Sequence, residues 1–248
     1  MAEPLISLRD VRKSFGPNTV LDGISLDVEP GATIGLLGAS GSGKSVTLKT
    51  VNGLIPADSG SITVLGYEVS EMSERELVPL RRRISYLFQG GALFDSMNVF
   101  DNVAFPIREH QKLAPDELEQ RVLELLQMVQ LENVQAKQPA ELSGGMRKRV
   151  AVARALAVEP EIMLYDEPTT GLDPVTGEAI AQLILDLDRR LGVTSLVVTH
   201  DIPLVSRVAD RVVFLNRGRF IFSGTVAEAR TEAPEPVRRF FAAGGVDA

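Results

Sequence analysis

The 248-residue chain contains no cysteine and only two histidines. Without thiols there is no disulfide, no thiolate metal ligand and no cysteine nucleophile, and two histidines leave little material for a zinc site. Long apolar runs are missing as well. The longest stretch without charge, Pro30 to Gly43, has 14 residues and is rich in glycine. A transmembrane helix needs roughly 18 or more apolar residues, so the chain is not expected to cross a bilayer by itself. The first residues, Met1 to Asp10, show no basic segment followed by an apolar one, so no secretory signal is expected. Positive charge is also in short supply: 26 Lys+Arg stand against 33 Asp+Glu, a net charge of -7. Diffuse attraction to nucleic acid or to an anionic membrane is therefore excluded as a main activity. Any phosphate must be held by a local site. What remains is an ordinary globular composition, 44% hydrophobic and 24% charged, on a chain long enough to bury a full core.

Short β-branched and aliphatic runs recur at Ile24 to Val28, Thr33 to Leu37, Ser61 to Leu65, Ile84 to Phe88, Ile162 to Tyr165, Ser195 to Thr199, Val212 to Leu215 and Phe220 to Phe222. The runs at 33–37, 162–165 and 195–199 are almost continuously apolar, as strands buried on both faces of a parallel sheet are, and helical patterns separate them. An α/β core follows. The first strands, Leu5 to Phe15 and Ile24 to Val28, are joined by the turn-rich Gly16 to Gly23, which predicts an antiparallel edge. Between Gln89 and Pro160 strands give way to helix formers, and Leu118, Val122, Leu125, Leu126 and Val129 share one stripe behind Pro115 and Asp116. A helical subdomain is expected there, inserted into the core. The last residues, Arg230 to Ala248, read as a loosely held terminus in which Val237, Phe240 and Phe241 form a small apolar stripe that packs on the core.

Chemistry concentrates in a few places. Gly38-Ala39-Ser40-Gly41-Ser42-Gly43-Lys44-Ser45 matches G-x-x-x-x-G-K-[ST], directly after one apolar run and before a helical pattern. Such glycines let backbone N–H groups converge on phosphate oxygens, the helix start adds partial positive charge, Lys44 reaches the β/γ-phosphates and the Ser45 hydroxyl is a magnesium ligand. The run 162–165 ends in Asp166-Glu167-Pro168, where one carboxylate is placed to bind the metal or its water and the next to polarise an attacking water. His200 and Gln89 end two further runs. Leu142-Ser143-Gly144-Gly145-Met146 opens a helix and reads either as an N-cap with Ser143 or as a second anion contact. The basic runs Arg81 to Arg83 and Arg147 to Arg149 read as solvated helix faces.

In order along the chain, the phosphate loop, Gln89, the Ser143-Gly144-Gly145 helix start, Asp166-Glu167, Gly171-Leu172-Asp173 and His200 resemble the ATP-binding subunit of ABC transporters. The likeness spans nearly the whole chain. It implies a P-loop NTPase core with a mostly parallel sheet, an N-terminal antiparallel β edge and an inserted α-helical subdomain, with residues 1–88 and 158–248 as the core and 89–157 as the subdomain. It also implies ATP and magnesium, and two copies sandwiching ATP head to tail. Residue by residue, Phe15 would stack on adenine, where the family more often has tyrosine. Gly38, Ser40, Gly41, Ser42, Gly43, Lys44 and Ser45 would hold the phosphates, and Ser143, Gly144 and Gly145 would meet the γ-phosphate of the other copy. Glu167 would activate water, Asp166 would hold magnesium through water, Gln89 would join the metal to the permease-facing surface, His200 would contact the γ-phosphate and Asp173 would link the two sites.

Met146 stands where the family usually has glutamine, a replacement common in the Mla and Mce-associated lipid transport branch. The segment Phe88 to His110 is similar to that branch too. That likeness implies phospholipid as cargo, a cytoplasmic location at the inner membrane through a separate permease, an MCE-domain lipid-binding protein and a small regulatory subunit. Three other readings stay open at this point: an amino-acid-type importer ATPase, an ABC-type ATPase acting on nucleic acid or ribosomes, and a module that closes on ATP without hydrolysing it.

Overall fold

The computed structural model describes residues 3–244. Strand β1 (Ile6–Phe15) turns back through Gly16 and Pro17 into β2 (Asn18–Val28), and the two pair antiparallel. This hairpin is tighter than the turn-rich sequence suggests. Thr19, Val20 and Leu21 fit the pleat, Phe15 pairs with Asn18, and the left-handed φ of 57° at Gly16 suffices for the reversal. Strand β3 (Thr33–Leu37) then opens a second sheet, while β4 (Ser59–Val64) returns to pair with β1. A two-residue strand β5 (Tyr67–Glu68), too short to leave a period in the sequence, completes the small sheet in the order β2-β1-β4-β5.

The large sheet has the order β10-β9-β3-β8-β7-β6, formed with β6 (Ile84–Leu87), β7 (Ile162–Asp166), β8 (Thr194–Val198), β9 (Arg211–Asn216) and β10 (Arg219–Gly224). All its pairings are parallel except β9 with β10. Every residue of β3, β7 and β8 is buried, as their unbroken apolar runs require of strands covered on both faces. One face packs against the small sheet, helix α1 (Lys44–Val51) and helix α2 (Glu74–Arg81). The other packs against α3 (Val99–His110), α4 (Pro115–Met128), α5 (Gly144–Leu156) and α6 (Pro174–Leu191). In α4, Val122, Leu125 and Leu126 are buried, with Val129 just beyond its end. Each such side chain contributes about 1.5–3 kcal/mol of burial.

The terminal segment is not loosely held over its described part. After α7 (Ile202–Val208) and the β9–β10 hairpin come α8 (Val226–Thr231) and α9 (Glu235–Ala242). Val237, Phe240 and Phe241 are buried, and the Phe240 ring meets Phe214 of β9 edge-on at 5.0 Å. Three large apolar groups in eight residues outweigh the Pro-rich, acidic flanks that made the segment look unstructured. The rest of that expectation, Gly245 to Ala248, lies outside the described residues.

Beneath the sheet sits one buried acid. The carboxylate of Asp188 on α6 accepts from Tyr165 Oη at 3.1 Å and from Thr33 Oγ1 at 3.3 Å, and burial pushes its pKa up from 3.8 to about 6. A folded-state pKa above the unfolded value means that the acid is stabilising while protonated. That contribution is fully present below about pH 3.8 and is lost as pH rises through about 6, at a cost of roughly 3 kcal/mol. Asp188→Asn is therefore expected to flatten the decline and to raise the melting temperature more at about pH 8 than at about pH 5. Thermal unfolding at the two pH values checks this, and an equal shift at both would count against it.

Candidate active site

Strand β3 delivers the chain into Gly38 to Gly43 at the carboxyl edge of the large sheet, where ligands of open α/β sheets gather. Gly38, Gly41 and Gly43 adopt φ of 153°, 74° and 107°, values that L side chains reach only with strain. Helix α1 begins at Lys44 with no side-chain cap at Gly43, so its first N–H groups face the loop. Ser42 Oγ is buried without a hydrogen-bond partner, an orphan that an incoming acceptor or donor would satisfy. Lys44 is folded onto the loop itself, donating to the Gly38 carbonyl at 2.8 Å and the Ala39 carbonyl at 2.9 Å. A phosphate would take over that ammonium.

Next to the loop, β7 ends in two acids with different company. Asp166 is buried and receives Ser45 Oγ–H on one oxygen at 2.8 Å and Tyr86 Oη–H on the other at 2.8 Å. Burial and the neighbouring Asp166 push the Tyr86 phenol well above its usual pKa, keeping it a donor. Glu167 has a left-handed φ of 51°, a conformation that costs a non-glycine residue about 1–3 kcal/mol. Its N–H is bound to the Val198 carbonyl at 2.8 Å, and its carboxylate accepts from Thr170 and Thr199 hydroxyls at 3.1 Å each. His200 Nδ1 lies 3.0 Å from the same carboxylate. The acid is 12% exposed and the imidazole 54%, so the histidine faces the opening.

Glu167, Thr170 and His200 line one cleft of about 1120 Å³ that also holds Phe15, Ser40, Gly41, Gly43, Lys44, Ser45, Gln89 and Asp173. Phe15 is 48% exposed at the end of β1 rather than packed in the core. Lys13 sits 5.4 Å from the centre of its ring and donates to Asp58 at 2.7 Å, which fixes that strand end. Gly38, Ser42 and Asp166 are not among the residues that line it. The hard oxygens of Ser45 and Asp166 fit magnesium. Among the described residues no group of three or more His, Cys, Asp or Glu could hold a metal alone, so nucleotide phosphate and water must complete such a site.

Ser143, Gly144 and Gly145 are not part of the cleft. Ser143 caps α5 by accepting the Met146 N–H at 3.2 Å. At Gly145 a Cβ would come within 2.5 Å of Thr176 Cγ2, so any larger residue would have to turn that methyl away where α5 meets the start of α6. Asp173 caps that second helix, accepting from the Thr176 hydroxyl at 2.6 Å, from Thr176 N at 3.0 Å and from Val175 N at 3.1 Å, and these bonds, the hydroxyl's first, hold its pKa low.

The model of the ABC transporter family matches residues 21–170, more than half of the chain. The chain belongs to the ABC transporter ATPase family. It is 42% identical over 237 residues to the intermembrane phospholipid transport ATP-binding protein MlaF of Escherichia coli, covering 95% of this chain and 88% of that one. It is 44% identical over 225 residues to the methionine import ATP-binding protein MetN of Rhizobium johnstonii, covering 91% of this chain but only 62% of that relative's length. In structure it resembles the ATP-binding cassette MJ0796 in a dimeric post-hydrolysis state bound to ADP and Pi. That match has a TM-score of 0.82 and 33% identity over 89% of this chain and 98% of the other. Its α/β architecture is thus that of an ABC ATPase, an ATP-binding enzyme. Among the described residues no helix is long and apolar enough to cross a membrane.

Several side chains of this ABC ATPase make contacts that the sequence does not announce. Tyr86 looked like one more apolar position in a strand, yet it anchors Asp166. In the run Arg147 to Arg149 the expected solvated face holds for the exposed Arg147 and in part for the half-buried Arg149, but not for the buried Lys148. Arg147 donates to the Leu142 carbonyl at 2.6 Å, and Arg149 donates to the Val129 carbonyl and Gln130 Oε1 at 2.9 Å. Lys148 is 6% exposed, with its ammonium on the Gln89 and Glu167 carbonyls. Burial pulls its pKa down, against the opposing pull of the Glu167 and Asp166 charges. Arg81 likewise reaches back to the Asn52 and Gly53 carbonyls, and Arg83 pairs with Glu161.

Proposed function

We propose that this chain drives a separate membrane permease that moves phospholipid in a bacterial envelope. The observation that carries this reading is the likeness to MlaF, which extends over 88% of that protein's length, whereas the likeness to MetN stops at 62% of the importer subunit. Met146 and the segment Phe88 to His110 agree with the same branch. The chain would sit at the cytoplasmic face of the inner membrane through its permease, with an MCE-domain protein and a small regulatory subunit as further partners. Residues 89–157 would serve as the helical subdomain that meets the permease.

The mechanism follows from the cleft. Phe15 would stack on adenine, the amides of the glycine loop and Lys44 would hold the phosphates, and Ser45 and, through water, Asp166 would hold magnesium, which would neutralise charge on the phosphates. Glu167 takes a proton from the attacking water, with His200 beside it at the γ-phosphate. Ser143, Gly144 and Gly145 of a second copy close the site from the other side, Asp173 lies where the two sites meet, and Gln89 relays occupancy to the permease. Hydrolysis then reopens the pair.

A second reading, an importer ATPase for a small polar solute, is favoured by the 44% identity to MetN. Purifying the chain with its membrane partners and identifying the co-purified chains and lipids by mass spectrometry separates the two. A permease carrying phospholipid together with an MCE-domain protein is the expected result. A permease whose ATP turnover rises only with a solute-binding protein and its amino acid would overturn the lipid reading.

A further inference from the structure

Helix α5 carries a buried cation at the point where two site segments leave their strands. The Lys148 ammonium donates to the Gln89 carbonyl, just past β6, and at 3.3 Å to the Glu167 carbonyl, just past β7. At 6% exposure it has little access to bulk water as an alternative partner. The Glu167 end of this bridge is the informative one. Its backbone is left-handed and its N–H stays on Val198, so the residue that aims the carboxylate is held on one side by β8 and on the other, at its carbonyl, by Lys148 together with the Thr170 N–H at 3.3 Å. On the same helix, Arg154 donates to the Gly91 and Ala92 carbonyls at 2.9 and 2.8 Å, so the segment after Gln89 follows α5 along its length. The N-terminus of this helix is Ser143.

We propose that Lys148 is a positioning residue for ATP hydrolysis, holding the Gln89 and Glu167 backbones in a fixed mutual placement on the flank of α5. It does not line the cleft. It acts through the direction it gives to the Glu167 carboxylate, and the inference rests on Glu167 being the group that activates water. Any movement of Ser143 on meeting the other copy's nucleotide would be passed down α5 to its own copy's Gln89 and Glu167 through this ammonium.

The test uses the full-length chain with saturating magnesium and ATP, comparing wild type with Lys148→Met, Lys148→Gln and Glu167→Gln by phosphate release. Methionine keeps the length and apolar stem but removes the donor, whereas glutamine keeps a donor without charge. The expected result for Lys148→Met is a kcat at least 10-fold lower with KM for ATP within about threefold of wild type, and for Lys148→Gln a recovery to at least about a third of wild type. A merely structural role would raise KM as kcat fell, or leave glutamine no better than methionine, and either outcome overturns the proposal. Turnover by Lys148→Met within about twofold of wild type beside an inactive Glu167→Gln overturns the role of Lys148 alone. Wild-type turnover by Glu167→Gln overturns the assignment of Glu167 and this inference with it.

Discussion

Glu167→Gln is expected to lower ATP turnover by at least 100-fold, the scale on which positioned general bases act, while ATP still binds. Glutamine is nearly isosteric, and its amide oxygen can still accept from Thr170 and Thr199, which hold the acid at 3.1 Å each. The backbone is untouched, so the left-handed turn and its bond to Val198 remain. What disappears is the group beside His200 that can receive a proton. Because the phosphate loop, Lys44 and Phe15 are unchanged, nucleotide affinity should stay within a few-fold, and the variant should accumulate with ATP bound as a closed pair. Phosphate release and gel filtration with and without ATP check both halves. An unchanged rate would remove Glu167 from its assigned role, and a lost affinity would mean that it helps to bind ATP rather than to activate water.

Gly38→Ala should have the second largest effect. The added Cβ would press on the Leu215 carbonyl of β9 closer than real Cβ atoms approach, and would stand 2.8 Å from the already unpartnered Ser42 Oγ. Backbone cannot give way as a flexible side chain can, and a φ of 153° is itself strained for alanine. Overpacking and strain together predict a loss of about 3–5 kcal/mol, which for a domain of this size lowers the melting temperature by roughly 10 °C. ATP affinity should fall at least 10-fold, because the loop that must converge on phosphate is displaced. Calorimetry and nucleotide binding measure the two effects. A variant that lost ATP binding at unchanged stability would show that Gly38 serves the ligand and not the approach of β9.

The same contrast explains what could be read from sequence. Buried parallel strands announce themselves as unbroken apolar runs, so β3, β7 and β8 and the residues that end them were visible one by one. The turn into α1 was visible because glycines, a lysine and a serine at fixed spacing have few other uses. Lys148 was hidden because its partners lie in segments far along the chain, and a basic run flanking a helix face looks the same whether it meets water or carbonyls. Tyr86 was hidden for the opposite reason: a phenol in a strand looks like core until the acid it donates to is placed. The packing of Val237, Phe240 and Phe241 on the core was legible as an apolar stripe, but the firm hold of the segment around them was not, because three apolar groups amid proline and acid give too short a pattern to outweigh their neighbours.

The exclusion of Ser143 to Gly145 from the cleft carries a kinetic consequence. If each catalytic centre is finished by a second molecule, one chain alone has no complete centre, and the rate per chain should depend on how often two chains meet. In dilute solution, away from any permease, observed velocity should then rise with the square of protein concentration and become linear only where association saturates. Specific activity would be a property of the solution rather than of the molecule, and a stock that looks inactive on dilution would recover on concentration without any change in its fold.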